Sequence, residues 1–237
     1  MATVKVHLIA RLESKRVRRK NLRLLHGKPL LSYAIEAAKA SKGIDEIYLN
    51  TESEMLADLA RAHGIGVFKR EDWLAADDIV LDQTTYAFAK AHEADIIGMV
   101  NPVCPLTTGE DIDQGLAHFI EHDFDTLLTV REEQLHSFVR GDAINFDVRR
   151  KIPMTQDLSP VQIVTWNFCF WKRAAFLANY ETNGFGVFTG SIGLYPLDKR
   201  KAVKVSDESD FRIVEAIMSH RSTELTEADY YAGAPEV

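Results

Sequence analysis

Eight cations fall between positions 11 and 28: Arg11, Lys15, Arg16, Arg18, Arg19, Lys20, Arg23 and Lys28. They follow directly on Val4, Val6, Leu8 and Ile9, a short apolar and β-branched run that suits a buried strand. Open α/β sheets bind ligands beyond the carboxyl ends of their strands, so cations crowded at such an end are placed to meet phosphates. A solvated basic loop is the competing reading. A second polar group sits at 204–210, where Lys204 and Ser206 precede Asp207, Glu208 and Asp210. Those carboxylates can help hold a divalent cation, or they can stand at a helix N-terminus, where negative charge is favoured. Asn101, beside Pro102, either turns the chain or offers a ligand a donor and an acceptor.

Other chemistries find little support. Cys104 and Cys169 are far apart and lack metal-ligand spacing, so neither a disulfide framework nor a zinc site is indicated. The eight histidines are dispersed and suggest no triad or histidine metal centre. Ser14 has no nucleophile-elbow context and is assigned no covalent role. Trp166, Phe168, Phe170 and Trp171 read as core and sheet-edge packing rather than a base-stacking platform.

The elements that must position these residues alternate. After the basic loop, Leu30 to Ala38 follow a helical period that ends near Gly43. Ile44 to Leu49 reads as a strand, Glu54 to His63 as a helix and Ile65 to Phe68 as a strand. Asp82 to His92 reads as a helix and Asp95 to Val100 as a strand. Thr108, with Glu110 and Asp111 behind it, opens another helix. Asp125 to Val130, Thr165 to Trp171 and Ser191 to Pro196 complete the strands, with helices over Lys172 to Asn179 and from Ser206 to Arg221. This alternation predicts an α/β fold with a Rossmann-like, mainly parallel sheet flanked by helices. Residues 132–164 lack periodicity over a stretch far longer than an ordinary connection of about 2–8 residues.

At 237 residues, with 46% hydrophobic and 27% charged residues, the chain suits a single domain, 1–237, with a sizeable core. A net charge of −7 argues against nucleic-acid binding and makes the basic loop a local exception. No apolar run approaches the roughly 20 residues needed to span a bilayer, and no signal-like segment opens the chain. A soluble cytoplasmic protein without membrane partners is expected.

The stretch ARLESKRVRRKNLRLLHGKPLLSYAIEAA resembles the signature of the acylneuraminate cytidylyltransferases, enzymes that join CMP to sialic acid and related nine-carbon acids. The stretches LNTESEMLADLARAHGIGV, REDWLAADD, NPVCPLTTGEDID and SDESDFRIVEA follow in that family's order. The resemblance implies a homodimer that uses CTP, a sugar acid and Mg2+. It places Arg11 and Lys20 at the phosphates as catalytic residues, and Ser14, Lys15, Asn21, Ala75, Ala76, Asp77 and Asn101 around the nucleotide. Gln156 and Asn167 would face the sugar, Asp207 and Asp210 the metal. Residues 132–164 would form a dimerisation arm. The chain departs from the family at Leu12-Glu13, where a glycine is usual, and at Thr107 and Thr155, where arginines are usual. Lys204 and Ser206 stand where metal-binding aspartates are usual. A relative using another nucleotide or a non-acidic sugar, or a non-catalytic binding homologue, therefore stands as the alternative.

Overall fold

The apolar runs at the middle of the sheet become strands covered on both faces, Ile96–Val100 along its whole length. The structure, a computed structural model, describes residues 2–14 and 16–220. Lys15 and the tail from 221 onward lie outside the described residues. In chain order the elements are β1 (Val4–Ile9), β2 (Leu24–Leu25), β3 (Lys28–Pro29), α1 (Leu30–Ala40), β4 (Glu46–Thr51), α2 (Glu54–Ala62), β5 (Gly66–Lys69) and α3 (Leu81–Ala91). There follow β6 (Ile96–Val100), α4 (Gly109–Glu121), β7 (Thr126–Glu133), β8 (Phe138–Val139), β9 (Asp142–Ala143), β10 (Val161–Lys172), α5 (Arg173–Asn183), β11 (Ile192–Pro196) and α6 (Glu208–His220). Seven strands form one sheet in the order β11-β7-β10-β6-β1-β4-β5. All neighbours are parallel except where β10 runs antiparallel to β6 and β7. The result is a mixed, mainly parallel Rossmann-like sheet.

Helices cover both faces, as a mainly parallel sheet requires. On one side Leu31, Ile35, Leu56, Ile112, Leu116 and Phe119 from α1, α2 and α4 pack on Val4, Val6 and Leu8 of β1 and on Phe168 and Phe170 of β10. On the other, Phe88 of α3 and Phe176 of α5 meet Ile97, Met99 and Trp171. Gly98 and Gly115 are small for a reason. A Cβ at Gly98 would lie 2.7 Å from the Phe170 ring, and one at Gly115 would lie 2.4 Å from that of Phe168, so a larger residue would push sheet and helix apart. A third cluster, with Leu25, Leu30, Val103, Leu106, Val205, Phe211 and Val214, docks α6 beside the start of α1 and the loop after β6.

Two stretches differ from the sequence expectation. β10 begins at Val161 rather than Thr165, because its first residues pair with the extended end of β7, Val161 with Glu133 and Val164 with Val130. The register then shifts between Val164 and Cys169, where Trp166 takes a left-handed backbone (φ 61°). At that bulge Trp166 is half-buried and packs against the edge of the cluster that holds Phe88, Met99 and Trp171, as expected of it. The aperiodic connection accordingly narrows to 134–160 and has structure of its own. β8 and β9 form a hairpin, and Asn145 Nδ2 donates to the carbonyls of Leu135 (2.9 Å) and Ser159 (3.0 Å).

Candidate active site

The basic loop leaves β1 at Ala10 and is fastened from below by the ends of β4 and β5. Arg70, nearly fully buried just beyond β5, donates to the carbonyls of Asn50 (3.3 Å) and Ala10 (3.2 Å) and to Glu52 Oε2 (2.7 Å). The other Glu52 oxygen accepts from Leu12 N at 2.8 Å. Burial draws the Arg70 pKa down while Glu52 works in the opposite direction. Asn21, buried in a 3-10 turn at Lys20–Leu22, donates to the Arg11 carbonyl at 2.9 Å. The path of residues 10–12 is thus fixed by a buried ion pair and by hydrogen bonds to backbone. A loop held in this way keeps its cations in place before a ligand arrives.

Above this base lies a cleft of two adjoining lobes at the carboxyl ends of β1 and β6. One lobe, about 410 Å³, is lined by Arg11, Ala75, Ala76, Asp77, Asn101 and Lys204, with apolar walls from Ile79, Leu81, Met99 and Trp166. The other, about 440 Å³, is lined by Arg11, Ser14, Arg16, Lys20, Asn21, Asn101 and Ser206. Arg11 Nη1 links the basic loop to the small-residue turn, meeting Asp77 Oδ1 at 2.9 Å and the Ala75 carbonyl at 3.2 Å. Lys20 Nζ donates to the Val205 carbonyl at 2.7 Å. Burial, and then the charges of Arg16 and Lys204, bring its pKa down to about 8. An ammonium held against desolvation and like charge is stabilised when an anion arrives. Asn101 both turns the chain, its Oδ1 accepting from Val103 N at 3.3 Å, and lines both lobes.

Of the residues expected at the nucleotide, Arg11, Ser14, Lys20, Asn21, Ala75, Ala76, Asp77 and Asn101 come together here, while Lys15 lies outside the described residues. The two residues expected at the sugar do not join them. Asn167 is wholly buried; its Nδ2 donates to Thr107 Oγ1 (2.9 Å) and the Lys201 carbonyl (3.0 Å), and its own carbonyl accepts from Asn101 N (2.9 Å). It props Asn101 from behind. Gln156 is exposed on the 134–160 connection, where its Nε2 approaches Met154 Sδ, and it lines neither lobe.

The carboxylates expected at the metal serve the start of α6. Asp207 Oδ1 accepts from Ser209 N (2.9 Å) and Asp210 N (3.1 Å), while Asp210 Oδ2 accepts from Ser206 N (2.7 Å) and Asp207 N (3.2 Å). This is a reciprocal cap. Among the described residues no group of three or more His, Cys, Asp or Glu could hold a metal ion. One oxygen of each carboxylate is thus committed to backbone amides, and the Lys20 and Lys204 ammoniums at the cleft compete with a cation there, so these residues suit a magnesium held by the protein less well than a pair of free carboxylates would.

Sequence reasoning missed Arg70 and Glu52, whose signal is a charged residue immediately past a strand's carboxyl end. It also missed Trp166 as a wall of the cleft. The dispersal of the histidines has one exception, His118 and His122, an i,i+4 pair whose ring centroids lie 4.2 Å apart at the end of α4. Neither lines the cleft. His7, under the sheet, stacks on Phe88 and is drawn down to a pKa of about 3, chiefly by burial, so it is a neutral core histidine. A larger hollow of about 630 Å³, which includes Ile96 at the amino end of β6, involves Lys172, but that cation is already paired with Asp123 at 2.8 Å.

Comparison with known proteins points in one direction. The sequence model of the family described as "Cytidylyltransferase" matches residues 7–210. "Post-translational flagellin modification protein B" of Campylobacter coli is 28% identical over 240 residues, covering 94% of this chain and 97% of its own length. "N-acylneuraminate cytidylyltransferase" of Streptococcus agalactiae is 26% identical over 217 residues, covering 85% of this chain and 50% of its own length. The solved structure of CMP:2-keto-3-deoxy-manno-octonic acid synthetase complexed with CTP shares the fold, with a TM-score of 0.68 at 16% identity, covering 92% of this chain and 99% of that one.

Proposed function

The chain belongs to the cytidylyltransferase family, and on that premise we propose that it transfers CMP from CTP to a hydroxyl of a sialic-acid-like sugar acid, releasing pyrophosphate. The observation that carries this reading is the convergence of Arg11, Ser14, Lys20 and Asn21 with the Ala75–Asp77 turn in one cleft at the carboxyl ends of the strands. The acceptor class comes from the name of the streptococcal relative. The acceptor oxygen forms its bond to the α-phosphorus as the bond from that phosphorus to the bridging oxygen breaks. Pyrophosphate leaves with the electron pair, and the hydroxyl proton passes to solvent. Arg11 and Lys20 hold and neutralise the phosphates, so the rate gain rests on positioning and electrostatics. Ala75 and Ala76 leave room for a pyrimidine.

The connection at 134–160 makes the working unit a homodimer, in which Gln156 of one chain belongs to its partner's sugar site. A non-acidic acceptor is the second reading. Thr107 favours it, because a buried hydroxyl bonded to Asn167 stands where a cation would grip a carboxylate. Pyrophosphate release measured over four nucleotides and a panel of acidic and neutral sugars tests both. Turnover with CTP and a nonulosonic acid supports the first reading, turnover only with neutral sugars supports the second, and a preference for another nucleotide overturns the cytidine assignment.

A further inference from the structure

Lys204 is an exposed cation that the capping of α6 leaves unneutralised. It lines the same lobe as Arg11, Asn101 and the Ala75–Asp77 turn. Its backbone is anchored, since the next residue, Val205, is buried, donates its N–H to the Val103 carbonyl at 2.8 Å and accepts Lys20 Nζ on its own carbonyl at 2.7 Å. The strap at 204–205 thus carries Lys204 and accepts the hydrogen bond of Lys20, which brings the two close enough that Lys204 opposes protonation of Lys20. Of the acids that follow in the chain, Asp210 offsets this repulsion only in part, as the smallest of the influences on Lys20, since one oxygen of Asp207 and one of Asp210 are turned to the amides of α6. Like charges held together beside a cavity are unfavourable until an anion enters between them.

Resting on the cytidylyltransferase reading, we propose that Lys204 is a phosphate-binding residue of this cleft. Its ammonium meets the α-phosphate where the two lobes join and supplies charge that a divalent cation held by the protein would otherwise supply. A lysine acts there as a point charge on a flexible stem and can follow the phosphorus through transfer. The nucleotide then binds without divalent cation, and removing Lys204 weakens ligands that carry an α-phosphate while sparing the bare nucleoside.

Isothermal titration of the full-length protein in EDTA with CTP, CMP and cytidine tests this, using the parent, Lys204→Met and Lys204→Arg, each checked for an unchanged melting temperature. The parent should bind CTP in EDTA. Lys204→Met should bind CTP and CMP about 10–100-fold more weakly, as for loss of a charge-assisted hydrogen bond, with cytidine unchanged. Lys204→Arg should recover most of the affinity. Undiminished CTP binding by Lys204→Met, equal weakening of cytidine, or parent binding that appears only with added Mg2+ would each overturn the proposal alone. A parent that binds CTP neither in EDTA nor in Mg2+ overturns the cytidylyltransferase reading along with it.

Discussion

Lys20 keeps its charge against burial and two neighbouring cations, which sets how the cleft responds to pH. Its folded pKa of about 8 lies below the ordinary lysine value of about 10.4, so between these two the unfolded chain binds more protons than the folded one. Stability contributed through Lys20 is therefore lowest below pH 8 and rises through that window. Ligand binding runs the other way: a phosphate favours the ammonium, so CTP draws a proton onto Lys20, and affinity falls as pH passes 8. Calorimetry at about pH 8.5 in buffers of different ionisation enthalpy should show proton uptake by the parent and none by Lys20→Met. No uptake by the parent would place Lys20 away from the phosphates. Glu52 makes a different prediction. Glu52→Ala leaves the Arg70 guanidinium, 2% exposed, without its counter-ion, and should lower the urea-unfolding free energy by about 3 kcal/mol. Arg11, Ser14, Lys20 and Asn21 were legible in the sequence because one continuous loop carries them. Arg70 and Glu52 were not, because their pairing exists only once two parallel strands end side by side. Asn167 was misplaced because a strand sequence does not say which polar side chains a bulge turns inward.

At the scale of elements, the N-terminus of α6 is where two uses of a carboxylate compete, and the backbone takes both aspartates. Asp207→Ala removes the acceptor of Ser209 N and Asp210 N and should destabilise the protein by about 0.5–2 kcal/mol, with a smaller loss for Asp207→Asn, itself a good cap. Turnover and its dependence on divalent cations should remain at the parent level in Asp207→Asn. A collapse of turnover with stability intact would return Asp207 to the metal. The helix starts were readable in the sequence because caps are local. Thr108 and Asp111 bond reciprocally, Asp111 N to Thr108 Oγ1 at 3.3 Å and Thr108 N to Asp111 Oδ2 at 2.9 Å, as their spacing suggested. Strand limits were less readable because pairing sets them. β4 runs over Glu46–Thr51 since Lys5 to Ile9 of β1 face Glu46 to Asn50, which carries the strand past Leu49, where the apolar run stops.

At the scale of the whole molecule, the sheet and its helical layers follow from alternation along one chain, whereas one apolar surface finds no cover among the described residues. The connection at 134–160 exposes Phe138, Val139, Ile144, Val148, Ile152 and Met154, with Val148 at 64% and Ile152 at 68%. These side chains sit on a preformed scaffold. Gln134 Nε2 donates to the carbonyls of Gln156 and Leu158, both at 2.9 Å, and Asn145 ties Leu135 to Ser159. An apolar patch on an ordered segment has already lost much of the backbone freedom that docking would otherwise remove, so covering it with a second copy costs less than ordering a loose loop would. The proposed homodimer therefore predicts that light scattering gives the mass of two 26.7 kDa chains. Val148→Asp combined with Ile152→Asp should halve that mass while leaving the melting temperature of the dilute protein close to that of the equally dilute parent, since neither residue belongs to the core. If Gln156 serves the partner's site, the monomeric variant should also lose affinity for the sugar while keeping that for CTP. A parent that is monomeric at every concentration, or a monomeric variant with undiminished sugar affinity, would confine the sugar site to one chain and leave the exposed patch serving some other contact.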